Sequence, residues 1–187
     1  MRDYVYRPVI RTALTLFRVL DFRFDLRGVD NLPLTGGAVL ASNHVSYLDF
    51  TFVGLSAVKR KKGKKRFVRF MAKQAVFDHK ISGPLMRGMH HIPVDRTAGA
   101  AAYRHAVEAL QAGELVGVFP ESTISRSYVP RPLKNGAARM ALEAGVPLIP
   151  VVVWGGHRVW TVGRKPRWRR HVAVSIWVDE PMNVIPG

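Results

Sequence analysis

The sequence predicts one α/β domain, a mixed and mostly parallel sheet flanked by helices, led by an N-terminal amphipathic helix. Three observations predict it. Short apolar or alternating runs take turns with longer stretches of helical period. Two of those stretches stop at Gly113 and Gly145, as helices commonly do. The longest apolar run, residues 146–154, is interrupted by Pro147 and Pro150 and reads as a buried strand.

Residues 4–20 read as the first helix. At about 100° per residue, Arg7, Arg11 and Arg18 fall on one narrow stripe. Val5, Tyr6, Val9, Ile10, Leu16, Phe17 and Leu20 fill the opposite face. Such a helix either lies at a membrane interface or packs on its own domain, and the arginine stripe suits anionic lipid. Residues 22–27 alternate with period two and read as a strand. Residues 28–37 have turn chemistry, and 38–41 form a short apolar strand. Ser46 is a good N-cap for a helix starting at Tyr47. Residues 67–72, 115–119, 148–154 and 172–178 read as further strands, and 88–96 as a short one ending in Asp95-Arg96. Residues 97–112 and 135–144 read as helices. The division is a helix over 1–21 and a single domain over 22–187, with no repeat and no internal boundary.

The net charge of +16, from 29 Lys and Arg against 13 Asp and Glu, points to a polyanionic partner: nucleic acid, anionic lipid or a phosphorylated substrate. The run Lys59-Arg60-Lys61-Lys62-Gly63-Lys64-Lys65-Arg66 holds seven of the cations, and taking these from the total still leaves +9. A second cluster comprises Arg164, Lys165, Arg167, Arg169 and Arg170. Trp160 and Trp168 beside it suit either an interfacial position or a core. The chain has no cysteine, which excludes disulfides, thiolate metal sites and a cysteine nucleophile. No apolar run approaches the roughly 20 residues of a spanning helix, and the start lacks the apolar stretch of a signal peptide. A basic nucleic-acid-binding protein is the competing class, but no helix-turn-helix, zinc-finger or aromatic RNA-binding signature appears.

His44 and Asp49, in Asn43-His44-Val45-Ser46-Tyr47-Leu48-Asp49, are the leading candidates for chemistry. A carboxylate that fixes an imidazole tautomer makes the ring a general base. On a straight helix the two would stand about 140° apart, so they meet only if the chain bends between them, and the Ser46 cap supplies the bend. Asp49 equally suits a capping box, where a carboxylate is favoured by the helix dipole. The two roles are compatible. Asn43 suits ordering of the turn by side-chain to backbone bonds.

Downstream, Phe119-Pro120-Glu121-Ser122-Thr123-Ile124-Ser125-Arg126 follows a strand, where sites gather in α/β sheets. Glu121 there suits a substrate hydroxyl, a neighbouring cation or a loop salt bridge. Ser125 and Arg126 are candidate phosphate contacts. Arg96 either holds a phosphate or pairs with Asp95. Lys73 and Lys134 are isolated cations that either reach a phosphate or lie on the surface. His90 and His91 point to opposite faces if they lie on a strand, and no third ligand has metal-site spacing, so no metal is expected.

Taken in order, these motifs resemble the glycerolipid acyltransferase family that includes 1-acylglycerol-3-phosphate acyltransferases. The family's Asn-His, four residues, Asp motif is matched by Asn43-His44 through Asp49. Its block ending in a hydrophobic run and an arginine is similar to Gly88 through Arg96. Its Phe-Pro-Glu-Gly-Thr-Arg-Ser is similar to Phe119 through Ser125, with Ser122 for the usual glycine and Ile124 for the usual arginine. Its proline-spaced apolar strand is matched by Val146-Pro147-Leu148-Ile149-Pro150-Val151. Relatives often continue with helices beyond the Asp179-Glu180-Pro181 segment, so either a short form or a truncated chain is implied.

The resemblance implies a membrane-associated enzyme at the cytoplasmic face. It moves a fatty acyl group from acyl-coenzyme A or acyl carrier protein to the free hydroxyl of a lysophospholipid, most simply 1-acyl-glycerol-3-phosphate. A glycolipid sugar, glycerol-3-phosphate or another lysophospholipid are alternative acceptors, and a non-catalytic lipid-binding protein of the same fold is a further one. His44 and Asp49 would be catalytic, and Lys73, Arg96, Glu121, Ser122, Thr123, Arg126 and Lys134 would contact substrate. The acyl donor is a substrate, and no cofactor or metal is implied.

Overall fold

The computed structural model describes residues 3–59, 63, 65–95 and 99–185. Seven strands form one sheet: β1 (Arg23–Arg27), β2 (Ala38–Ser42), β3 (Val68–Lys73), β4 (Ile92–Val94), β5 (Leu115–Val118), β6 (Leu148–Trp154) and β7 (Ala173–Val178). Their order is β1-β7-β6-β2-β5-β3-β4. The five strands β6, β2, β5, β3 and β4 run parallel. β7 is antiparallel to β6, and β1 is parallel to β7. This is the mixed, mostly parallel sheet that the alternating pattern predicts.

Among the described residues six α-helices surround it: α1 (Tyr6–Val19), α2 (Asp49–Lys59), α3 (Gln74–Asp78), α4 (Ser82–Gly88), α5 (Gly99–Gln111) and α6 (Gly136–Ala144). Because successive strand side chains point to opposite faces, β2 serves two cores. Ala38 and Leu40 join Phe17 of α1 and Phe52 and Val53 of α2 on one face. Val39 joins Ala106 and Leu110 of α5 and Met140 of α6 on the other. Gly145 ends α6 in the left-handed conformation at φ 64°. Residues 97 and 98, where the α5 helix is expected to begin, lie outside the described residues.

α1 turns its apolar side inward. Tyr6 and Phe17 are buried, and Val9, Ile10, Ala13 and Leu14 are partly covered by the cores beneath them. The Tyr6 hydroxyl donates to the Val68 carbonyl at 2.8 Å. An apolar crevice of 60 Å³ separates α1 from α2. Packing on its own domain is therefore what the apolar face does, and Arg7, Arg11, Arg18 and Val19 remain outward.

The sheet has two unlike edges. The C-terminal ends of the parallel strands lead to His44, Lys73, Phe119 and His157. Arg66 lies at the opposite edge, where its guanidinium donates to the carbonyls of Pro33 and Gly36, on the approach to β2, and of Gly113, just before β5. Lys59 ends α2, ten positions or roughly 15 Å from Asp49 at its start. The basic run between Lys59 and Arg66 lies largely outside the described residues, but its two brackets stand away from His44.

Two packed elements were not legible as such. Arg69 is buried in β3, where it donates to the Met89 carbonyl and pairs with Glu114 at 3.1 Å and Asp3 at 2.8 Å. His91 is a core histidine: its Nδ1 accepts from the Phe70 N–H at 3.0 Å. Burial, then Arg69 and His90, lower its pKa to about 3.

Candidate active site

The chain leaves β2 at Ser42 and must bend before α2. Asn43 fixes the exit by continuing the β2–β6 ladder with its side chain. Its Nδ2 donates to the Val153 carbonyl at 3.0 Å, and its Oδ1 accepts from the Val153 N–H at 2.8 Å. The expected turn-ordering role is thus met, on a strand 110 positions away. Ser46 then closes the turn that leads into α2, its hydroxyl oxygen accepting from the Leu48 N–H at 3.0 Å. The hydroxyl itself donates to the Trp160 carbonyl at 2.7 Å. Gly156 lets that segment close in, since a Cβ there would stand 2.7 Å from the Phe52 ring and 3.1 Å from Ser46 Cβ.

The bend brings the pair together. His44 Nδ1 lies 3.1 Å from Asp49 Oδ2. The same oxygen accepts from the Val45 and Ser46 N–H groups, both at 2.7 Å. The capping role and the imidazole contact therefore coexist on one atom. α2 begins at Asp49 rather than Tyr47, because Tyr47 and Leu48 form the turn that aims the carboxylate back. Asp49 is fully buried and the His44 side chain is 20% exposed. Burial pushes the Asp49 carboxyl above its usual range, against the bonds from His44, Ser46 and Val45.

Phe119 supports the ring from its face. The two rings stack with centroids 4.1 Å apart and planes 17° from parallel. Phe70 lies behind Phe119, stacked at 6.1 Å. Phe70 fits there because its register partner on β5 is Gly117, where a Cβ would meet the Phe70 ring at 2.3 Å. With Nδ1 on Asp49 and one face on Phe119, the ring has Nε2 left for a reacting group. Among the described residues none bonds it.

The Phe119 loop also grips the His44 peptide. Glu121 Oε1 accepts from the His44 N–H at 2.8 Å, and Oε2 from the Arg131 N–H at 2.9 Å. The Ser125 N–H donates to the His44 carbonyl at 2.7 Å. Glu121 is only 5% exposed and acts as a clamp on backbone, neither a salt bridge nor an open contact for a substrate hydroxyl. Ser125 is fully buried and its hydroxyl donates to the Val129 carbonyl at 2.6 Å, which withdraws it as a phosphate contact. Ser122 sits at φ 58°, the left-handed region where the resembling motif has glycine, with its side chain exposed. Ile124, in the arginine's place, is buried.

The remaining described candidates lie at the same edge, and none bonds the ring. Thr123 is half-buried and Arg126 is exposed on the same loop. Lys134 is exposed, and its backbone N–H donates to the Pro120 carbonyl at 3.1 Å. Lys73 is exposed at the end of β3. Arg96 lies outside the described residues. His157, unmarked in the sequence, packs between Tyr128 and Trp154 with ring centroids 4.6 Å from each. Burial first, then Arg158, lowers its pKa. Among the described residues no group of three or more His, Cys, Asp or Glu could hold a metal.

Comparison with known proteins places the chain and its fold. The family model described as Acyltransferase matches residues 23–154. A 1-acyl-sn-glycerol-3-phosphate acyltransferase of Bacillus subtilis is 32% identical over 127 residues, 67% of this chain and 60% of the relative. The enzyme of that name from Limnanthes douglasii is 32% identical over 151 residues, 78% of this chain and 50% of the relative. The chain thus spans between half and three fifths of the length of these two curated relatives. The crystal structure of the 1-acyl-sn-glycerophosphate (LPA) acyltransferase PlsC from Thermotoga maritima superposes with a TM-score of 0.71 at 25% identity. That match covers 96% of this chain and 69% of that one.

Proposed function

Given that the chain belongs to the Acyltransferase family, we propose that it acylates the free hydroxyl of a lysophospholipid from an acyl thioester. The simplest acceptor is 1-acyl-glycerol-3-phosphate, giving phosphatidic acid. The donor is acyl-coenzyme A or acyl carrier protein. The observation that carries this reading is the His44 ring, held at Nδ1 by buried Asp49 and on one face by Phe119.

Neutral His44 takes the hydroxyl proton on Nε2 as the oxygen attacks the thioester carbonyl. Asp49 steadies the imidazolium that results. The tetrahedral intermediate collapses, the carbon–sulfur bond breaks, and the leaving thiolate takes the proton from the imidazolium. The ester has formed, a thiol has left, and the ring is neutral again. A thiolate leaves readily, so the chain needs no covalent acyl intermediate. Arg126, Lys73, Lys134 and Arg96 stand as candidates to orient the acceptor phosphate. Glu121 is a positioning residue that acts through the His44 peptide.

Mass spectrometry of products from a panel of lyso-lipids, offered with acyl-coenzyme A and acyl carrier protein, tests the reading. Phosphatidic acid from 1-acyl-glycerol-3-phosphate is the expected product. His44→Ala should lower its formation by about 10²- to 10⁴-fold with the fold intact. Acylation of none of the panel, or undiminished product from the His44 variant, would overturn it.

A further inference from the structure

Two loops rim the edge where His44 opens, and both are cationic throughout. Residues 122–135 carry Arg126, Arg131 and Lys134, and residues 155–171 carry Arg158, Arg164, Lys165, Arg167, Arg169 and Arg170. Neither loop contains a carboxylate. All nine cations are exposed. Glu121, just before the first stretch, is buried and spent on the His44 and Arg131 N–H groups, and Asp21 beside the second is engaged by His171.

Large apolar side chains stand out among these charges. Val129 is 64% exposed, Leu133 68% and Trp168 50%. Tyr47 and Trp154 are exposed on the same rim. A phosphate backbone has no use for protruding aliphatic tips, whereas a headgroup layer takes them up beside basic and aromatic residues. Both loops are also built into the site. The Trp160 carbonyl accepts from the Ser46 hydroxyl, the Thr161 hydroxyl donates to the Val45 carbonyl at 2.8 Å, and the Ser125 N–H donates to the His44 carbonyl at 2.7 Å.

The two surfaces that the sequence offers for lipid are less well placed. α1 has its apolar side in the core. The brackets of the Lys59–Arg66 run lie at the far edge, beyond a Debye length of about 10 Å in 0.1 M salt. We infer that the chain docks on anionic membrane through the loops 122–135 and 155–171, with Val129, Leu133 and Trp168 entering the headgroup layer and His44 facing the lipid. This deepens the lysophospholipid reading but is measured without turnover.

Sedimentation with phosphatidylglycerol-containing vesicles, compared with phosphatidylcholine vesicles and with RNA, provides the test. A basic residue near an anionic surface contributes up to about five-fold in binding. Converting Arg164, Lys165, Arg167, Arg169 and Arg170 to Gln should weaken vesicle binding at least about 100-fold. Converting the basic residues from Lys59 to Lys65 to Gln should change it by less than about three-fold in 0.1 M salt. Val129→Ser with Leu133→Ser should weaken it by about ten-fold or more, because the cations are kept and apolar area is lost. Thermal melts check that each variant folds. On the unaltered protein, hydrogen exchange should slow within 122–135 and 155–171 when vesicles are added. Full vesicle binding by the five-site variant, exchange protection confined to α1, or RNA bound more tightly than vesicles would each overturn the assignment. Vesicle docking as expected, with no acyl transfer to any lyso-lipid, would leave this surface standing and sink the proposed reaction.

Discussion

Replacing Asp49 by asparagine separates the charge of the carboxylate from its hydrogen bonds. All three donors at this residue, His44 Nδ1 and the N–H groups of Val45 and Ser46, converge on Oδ2. Oδ1 is buried with no hydrogen-bond partner among the described residues. An asparagine must present its oxygen to the two backbone donors at 2.7 Å, because its amide group there would oppose two N–H groups. The ring therefore keeps its tautomer and loses only the anion beside the imidazolium. Two unit charges about 4 Å apart interact by about 4 kcal/mol at an effective dielectric of about 20. The partial exposure of His44 screens this, leaving about 2 to 4 kcal/mol, or about 30- to 1,000-fold in kcat. The raised Asp49 pKa means that its contribution to folding is present at low pH and lost as pH rises through the folded value. Asp49→Asn should thus melt with a flatter pH dependence than the parent between about pH 4 and neutrality, its buried amide lacking an acceptor at every pH. Stopped-time assays across pH and thermal melts measure both. Turnover within three-fold of the parent would refute the role given to the charge.

Two other outcomes follow from single observations. Ser122→Gly should stabilise the chain by about 1 kcal/mol, because serine occupies φ 58°, and a thermal melt two to four degrees higher on the order of that gain would register it. An unchanged melt would remove the strain argument. His91, held neutral with its pKa near 3, contributes stability that is present above its ordinary value of 6.5 and lost as pH falls toward the folded value. Urea midpoints should therefore fall over that window, and His91→Asn, which keeps an acceptor for the Phe70 N–H, should flatten the fall. Equal slopes in both proteins would show that another group controls it.

The strands and longer helices are legible because each rests on a local signal: period-two alternation over 22–27, glycine stops at 113 and 145, proline spacing in the strand ending at Trp154. The helices α3 and α4 are five and seven residues long, lack side-chain caps, and offer no such signal. At the site, the bend at Ser46 and the meeting of His44 with Asp49 follow from cap chemistry within six residues. What Glu121 does was hidden, because its partner is a peptide N–H 77 positions away and composition does not mark backbone targets. Phe119 as a backing for the ring was equally hidden, since stacking depends on the strand order that sets β5 beside β2. Its one available sign was its place immediately after a strand that ends at the same edge.

The grip of Glu121 and Ser125 on the His44 peptide has a bearing on synthesis as well as on turnover. A nascent chain that has emerged only to α2 holds the histidine and its acid but none of the parts that steady them. The stacking ring, the clamp and the glycine behind them arrive about sixty residues after α2 ends. Half-made protein should therefore leave cellular thioesters untouched, and competence should appear in one step when the fifth strand slots in beside the second.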